Sequence, residues 1–188
     1  MSDHTAIRFS RRAMLKGGAL SAATFLFPHR ALASLGFPFL YPERNLSFVN
    51  SHTGERLNTV YFNGGQYLPE ALEKINNIMR DRFTDEVGEI DVHLLDLLHS
   101  LSMTLPVDAP FHIISGYRTP QSNDKLRQKS KGVAKKSYHL VGKAIDIRVP
   151  GYDTAYLRDA ALRLKGGGVG FYSSSDFVHL DVGPVRHW

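Results

Sequence analysis

Two hexapeptides decide how this chain folds: Ala144-Ile145-Asp146-Ile147-Arg148-Val149 and Phe177-Val178-His179-Leu180-Asp181-Val182. Both alternate with a period of two, the mark of a half-buried strand. In the first, Ile145, Ile147 and Val149 take the core face, so Asp146 looks the other way beside the small Ala144. In the second, Val178, Leu180 and Val182 face the core, and Phe177, His179 and Asp181 oppose them. If the two strands are neighbours, a carboxylate and an imidazole meet on one outer face. Just upstream, Ser137-Tyr138-His139-Leu140-Val141-Gly142 puts a second imidazole on a loop. Gly142 lets the backbone turn so that His139 folds back towards Asp146.

Around these strands the pattern is mixed. Leu46 to Asn50 and Leu57 to Phe62 are β-prone runs flanking Ser51-His52-Thr53-Gly54, which predicts a hairpin. Pro69 suits the first position of a helix whose apolar stripe includes Leu72, Ile75 and Met79. Asp91 suits the cap of a second helix with Leu94, Leu95, Leu98 and Leu101 on one side. Phe111 to Ser115 reads as a buried strand, Asn123 to Lys136 as a basic stretch ending in a loop, and Thr154 to Leu164 as a helix. Val169 to Tyr172 adds a strand. Helices early and strands late predict an α+β domain with a mainly antiparallel sheet flanked by helices.

The chain has 188 residues, 43% hydrophobic and 22% charged, a globular composition that excludes wholesale disorder. It has no cysteine, so disulfides and thiol nucleophiles are impossible, and any metal must sit on His, Asp or Glu. Of the 23 basic and 18 acidic residues, residues 1–33 hold Arg8, Arg11, Arg12, Lys16 and Arg30 against Asp3. The remainder carries 18 and 17, a net charge of +1, so the overall +5 gives no sign of a nucleic-acid partner.

The leader explains the excess. Ser10-Arg11-Arg12-Ala13-Met14-Leu15-Lys16 is a twin-arginine signature, followed by an uncharged run from Gly17 to Phe27 and an Ala31-Leu32-Ala33 cleavage pattern. That run is shorter than the roughly 20 residues of a bilayer-spanning helix. Residues 1–33 are therefore expected to be a signal peptide, 34–45 a tether and 46–188 the functional domain. The mature protein is expected in the periplasm, with no stable membrane insertion.

Two nitrogens and one oxygen, from His139, His179 and Asp146, suit zinc and leave a fourth position open. A buried carboxylate–histidine pair without metal is the alternative for either motif alone. Asp176 precedes His179 by three residues, where a carboxylate could take a proton from an activated water; a polar turn residue is its other reading. Gly166-Gly167-Gly168-Val169-Gly170 follows a helix and enters a strand, the reverse of a phosphate-binding loop. It reads as a helix stop and a close backbone approach. The stretch Lys125, Arg127, Lys129, Lys131, Lys135, Lys136 lacks the interleaved aromatics of a nucleic-acid surface and suits attraction of anionic peptides, or simply a solvated loop.

His-x-x-Gly-x-Ala-x-Asp from His139 to Asp146, with Asp-x-x-His from Asp176 to His179, resembles the zinc D-Ala-D-Ala carboxypeptidase and endolysin peptidase group, related to lysostaphin and hedgehog domains. Ser115-Gly116-Tyr117-Arg118, the run Gly132 to His139, the glycine run and the terminal Arg186-His187-Trp188 extend the likeness to the murein endopeptidases of that group. The resemblance implies one zinc per chain on His139, Asp146 and His179, Asp176 as general base, and peptidoglycan stem peptides as substrate, with diaminopimelate–diaminopimelate cross-links as the bond. Many relatives carry Glu where this chain has Asp176. It further implies that Arg118 polarises the scissile carbonyl. His187 is either a second oxyanion donor or an anchor for the C-terminus. A D-Ala carboxypeptidase and a non-catalytic wall-binding domain stay open as alternatives, and nothing in the sequence fixes an oligomeric state.

The leader reading yields a direct expectation. Replacing Arg11 and Arg12 by Lys should leave precursor in the cytoplasm, because the arginine pair is the address being read. Fractionation showing normal periplasmic accumulation of that variant would refute it.

Overall fold

The computed structural model describes residues 41–130 and 132–188; the stretch expected as a signal peptide, residues 1–33, and most of the expected tether lie outside them. β1 (Arg44–Asn50) and β2 (Arg56–Asn63) form the expected hairpin, with Phe48 opposite Leu57. β1 starts inside the expected tether because Arg44 pairs with Phe62 across a bulge and its guanidinium reaches Asp96 at 2.6 Å. β3 (Gln66–Tyr67) is too short to show alternation and was not expected. α1 (Pro69–Ile78), α2 (Val92–Ser102), β4 (Phe111–Ser115) and α3 (Pro120–Lys129) follow. A 3-10 turn at Tyr138–Val141 leads into β5 (Ala144–Arg148) and α4 (Thr154–Leu164). β6 (Gly168–Tyr172), a 3-10 turn at Ser173–Ser175, β7 (Phe177–Asp181) and β8 (Arg186–His187) close the chain.

The eight strands make one sheet in the order β3-β2-β1-β4-β5-β7-β6-β8. Only β1–β4 and β6–β8 pair in parallel, so the sheet is mixed but mainly antiparallel, and the α+β expectation holds. Asp91 and Asp153 cap α2 and α4 by accepting from the amides of His93 and Ala155, at 2.9 and 2.7 Å. The leucine stripe of α2 is fully buried. It joins Leu157 of α4, Ile145 and Ile147 of β5, and Val178 and Leu180 of β7 in one core. That leaves the opposite faces of β5 and β7 free to carry chemistry.

The stretch expected as a basic run ending in a loop is half helix. α3 was missed because it is polar almost throughout and has no apolar periodicity. Its signals are local: Thr119 accepts from the Ser122 amide at 3.1 Å, and Pro120 occupies the first turn. Buried Asp81 anchors this start, accepting from the Thr119 amide at 2.6 Å and its hydroxyl at 2.9 Å.

The glycine run does serve close approach. A Cβ at Gly168 would lie 2.4 Å from the Arg186 guanidinium, and one at Gly170 would lie 2.7 Å from the Trp188 ring. Gly142 is needed for a different reason, a φ of +64° at the end of the 3-10 turn, where a Cβ would also lie 1.8 Å from the Glu89 carbonyl oxygen. Gly151 has a φ of +76° with nothing near its Cβ. Left-handed backbone costs an L-residue roughly 1–2 kcal/mol. Gly151→Ala should lose about that much in urea unfolding, and Gly142→Ala a further 1–3 kcal/mol, roughly, from overpacking. Equal losses would show that the loop bearing His139 is free to shift.

Candidate metal centre and active site

Antiparallel pairing sets Asp146 of β5 directly opposite His179 of β7. The 3-10 turn then carries His139 over the same spot. Its cap is the Ser137 side chain, and the left-handed Gly142 ends it. The side chains expected to converge do so, and they are buried at 2% (His139), 7% (Asp146) and 9% (His179) relative exposure. His139 Nε2 lies 3.2 Å from His179 Nδ1 and 3.3 Å from Asp146 Oδ1, and His179 Nδ1 lies 2.8 Å from the same oxygen. Ligand atoms around tetrahedral zinc, with bonds near 2.0–2.1 Å, stand roughly 3.3 Å apart. The donor set fits such an ion.

The outward ring nitrogens decide what faces inward. His139 Nδ1–H donates to the Gly116 carbonyl at 2.7 Å, leaving Nε2 with its lone pair towards the cluster. His179 Nε2–H donates to Asp181 Oδ2 at 3.0 Å, leaving Nδ1 inward. Two ring nitrogens 3.2 Å apart, both with their other protons committed, repel unless a proton or a cation lies between them. Asp181 is completely buried and also accepts from the amides of Gly168 and Gly183 and from both ends of Arg186. A carboxylate behind a ligating imidazole fixes its orientation and raises its basicity.

The electrostatics match. Burial alone would raise the Asp146 carboxyl, but charge and hydrogen bonding from His139 and His179 hold it well below the usual carboxylate range. Burial pushes His139 down towards its neutral form. Burial opposes charge on His179 too, yet hydrogen bonds to Asp146 and Asp181 push it up to about 9. Two carboxylates thus favour positive charge at this imidazole.

Arg118 belongs to the same wall. Its backbone amide donates to the His139 carbonyl at 3.1 Å. Its guanidinium donates to Ser115 Oγ at 3.1 Å, to Asn123 Oδ1 at 3.4 Å and to Asp146 Oδ2 at 3.5 Å. Its Nε is buried and has no partner among the described residues. Burial pulls the guanidinium's pKa down, Asp146 opposes this, and the nearby charge of Arg82 adds to the lowering. The fork is under-bonded for a buried cation.

Asp176 and His187 are not brought to the cluster. The ligand residues line a cleft of about 610 Å³ with Arg118, Tyr138, Tyr172, Ser175, Phe177, Arg186 and Trp188 among its walls, and Asp176 is not one of them. Asp176 has a left-handed backbone (φ 52°), accepts from the Thr154 hydroxyl and lies 3.8 Å from the Arg148 guanidinium. Strand alternation in the last residues turns Arg186 and Trp188 into the cleft and His187 away from it. Among the described residues Asp146 is the only carboxylate of the lining. Sequence reasoning missed Tyr138, Tyr172 and the cleft-facing part of Arg186. Their signal was indirect, in the glycines opposite: Gly183 against Tyr138 and Gly168 against Arg186.

The sequence model of a peptidase M15 family described as Peptidoglycan L,D-endopeptidase MepK matches residues 41–188. The chain is 41% identical over 179 residues to the Peptidoglycan L,D-endopeptidase MepK of Escherichia coli (strain K12), and equally to that of Shigella flexneri, covering 95% of this chain and 97% of theirs. It is 36% identical over 180 residues to the Probable peptidoglycan L,D-endopeptidase MepK of Haemophilus influenzae, covering 95% of each.

Metal analysis checks the donor set. The purified domain should bind one zinc, His139→Ala should lose it, and Asp181→Asn, which keeps the side-chain volume, should weaken affinity about 10–100-fold in chelator competition. Full occupancy in His139→Ala would remove these residues from the metal.

Proposed function

The chain belongs to the peptidase family described as Peptidoglycan L,D-endopeptidase MepK, and on that premise we propose that it is a zinc-dependent endopeptidase cutting peptide cross-links of peptidoglycan, between diaminopimelate residues. The observation that carries this reading is the buried His139–Asp146–His179 donor set, floored by a sheet and open to a cleft large enough for a peptide. These three residues would hold the ion. When bound, zinc supplies Lewis-acid polarisation of a carbonyl oxygen and makes water acidic enough to attack near neutral pH.

The chain's own residues do the rest. Asp181 and the Gly116 carbonyl hold the two imidazoles in their ligating orientations. Arg118, fixed in the cleft wall and short of hydrogen-bond partners, stabilises the negative charge that develops on the scissile carbonyl oxygen. Tyr138, Tyr172 and Trp188 give the peptide apolar walls, and the Trp188 indole N–H is steadied by the Tyr172 hydroxyl at 2.9 Å. Asp176, bonded to Thr154 outside the cleft, is left to join the turn before β7 to the start of α4. The twin-arginine leader supports export to the periplasm, where peptidoglycan lies. Among the described residues no helix is long and apolar enough to cross a membrane.

Digestion of purified sacculi, with fragments identified by mass, tests the reading. Cleavage should yield fragments cut between diaminopimelate residues, stop with a chelator and return with zinc. Release of terminal D-Ala alone would make the enzyme a carboxypeptidase instead. Arg118→Lys should lower kcat about 10²–10³-fold, the range for losing one transition-state donor. Asp176→Asn should stay within about tenfold of wild type; a fall of about 10²–10⁴ would reinstate Asp176 as the base.

A further inference from the structure

The cations of the basic stretch are not equivalent once folded. Lys125, Arg127 and Lys129 ride on α3 and Lys135 follows in the loop, and none of these four lines the metal cleft; Lys136 does. Around the cleft four cations, Arg82, Arg118, Lys136 and Arg186, stand against the single carboxylate of Asp146. Two of them are compensated, Arg118 by Asp146 at 3.5 Å and Arg186 by Asp181 at 2.7 Å. Arg82 and Lys136 are exposed and form no ion pair among the described residues. Arg82 Nη1 does lie 2.9 Å from His52 Nε2, but that nitrogen is equally close to the Ile114 carbonyl, so the imidazole brings no negative charge to the guanidinium.

Uncompensated like charges in a cleft wall raise its potential and draw an anion in. They also have a chemical meaning beside a peptidase centre. The scissile amide itself is neutral, and Arg118 already serves its carbonyl. Two further cations answer to a charge elsewhere on the substrate.

We propose that Arg82 and Lys136 are specificity-determining residues that hold a free carboxylate of the substrate next to the scissile amide. The proposal rests on the endopeptidase reading and narrows its substrate class to cross-links whose bordering residue keeps an ionised carboxyl group. A diamino diacid linked through one of its amines has such a group. The two cations select the substrate before chemistry, through affinity and encounter, and their effect is screened by salt.

The test compares two synthetic cross-linked peptides that differ only in that group, one a free carboxylate and the other a carboxamide. Wild type should prefer the acid by at least about tenfold in kcat/KM at low salt, with the preference shrinking as ionic strength rises. In the double variant Arg82→Gln/Lys136→Gln the preference should fall to within about twofold of parity, through a raised KM for the acid, with zinc content retained. Lys125→Gln, a charge removed from α3 outside the cleft, should keep the wild-type preference. A double variant that retains the preference, a loss in kcat without KM, or an equal loss in Lys125→Gln would overturn the proposal. Binding of both peptides is measured on the same proteins. If wild type cuts neither peptide, the endopeptidase reading fails, while equal affinities for acid and amide would overturn the carboxylate site by themselves.

Discussion

One cross-strand pair carries the centre: Asp146 of β5 opposite His179 of β7. Side chains alternate along a strand, so a slip of one residue would send both into the apolar core and bring Ile147 or Val178 to the side of His139. The register holds because the other faces of the same strands are filled. Ile145, Ile147, Val178 and Leu180 are all at or below 1% exposure, packed in one core with α2 and α4. Burial of those four fixes the positions of Asp146 and His179 on the back of the same backbone. β7 also lies between β5 and β6, with neighbours on both edges, so His179 sits in a paired strand and not at a mobile rim.

Around this pair, both imidazoles are tied to neighbouring segments. His139 is held through its ring by the Gly116 carbonyl and through its own carbonyl by the Arg118 amide, so the segment that aims Arg118 also aims His139. His179 is held by Asp181, which is itself saturated by Arg186 and two amides. Arg186 in turn packs over the rings of Tyr138 and Trp188. The C-terminal residues are thus not a tail. They connect a wall of the cleft to the carboxylate behind His179. Gly168, Gly170 and Gly183 leave the space that this packing needs.

The polar helix α3 is the counterpart of the apolar ones. It adds little to the core, and its buried residues are Ser122 and Asn123. Asn123 accepts from Arg118 and donates to the Ala134 carbonyl at 3.1 Å, joining the arginine to the loop that carries Lys136. Asp81 fastens the start of α3 to the segment after α1 that bears Arg82. One hydrogen-bonded frame therefore spaces Arg118, Arg82 and Lys136.

Much of this was legible in the linear sequence. Period-two alternation announced β5 and β7 and the faces of Asp146 and His179, because a half-buried strand leaves no other solution. Asp91 and Pro69 marked helix starts, since capping is a local interaction, and the fold class followed from the order of the elements. The three donors of the proposed metal site were visible for the same local reason. What lay beyond the sequence depended on contacts between distant segments. α3 escaped because its helix is set by a cap and by Asp81, 38 residues upstream of Thr119, rather than by an apolar stripe. Asp176 precedes His179 at the spacing expected of a base, yet it has a left-handed backbone, bonds Thr154 and is not part of the cleft lining, and spacing carries no information about any of these. His187 fell to the wrong side for a reason that only pairing could reveal, the alternation of a two-residue strand whose face is set by β6. Which cations of the basic run face the cleft was likewise decided in three dimensions, because a charge in sequence has no direction until packing supplies one.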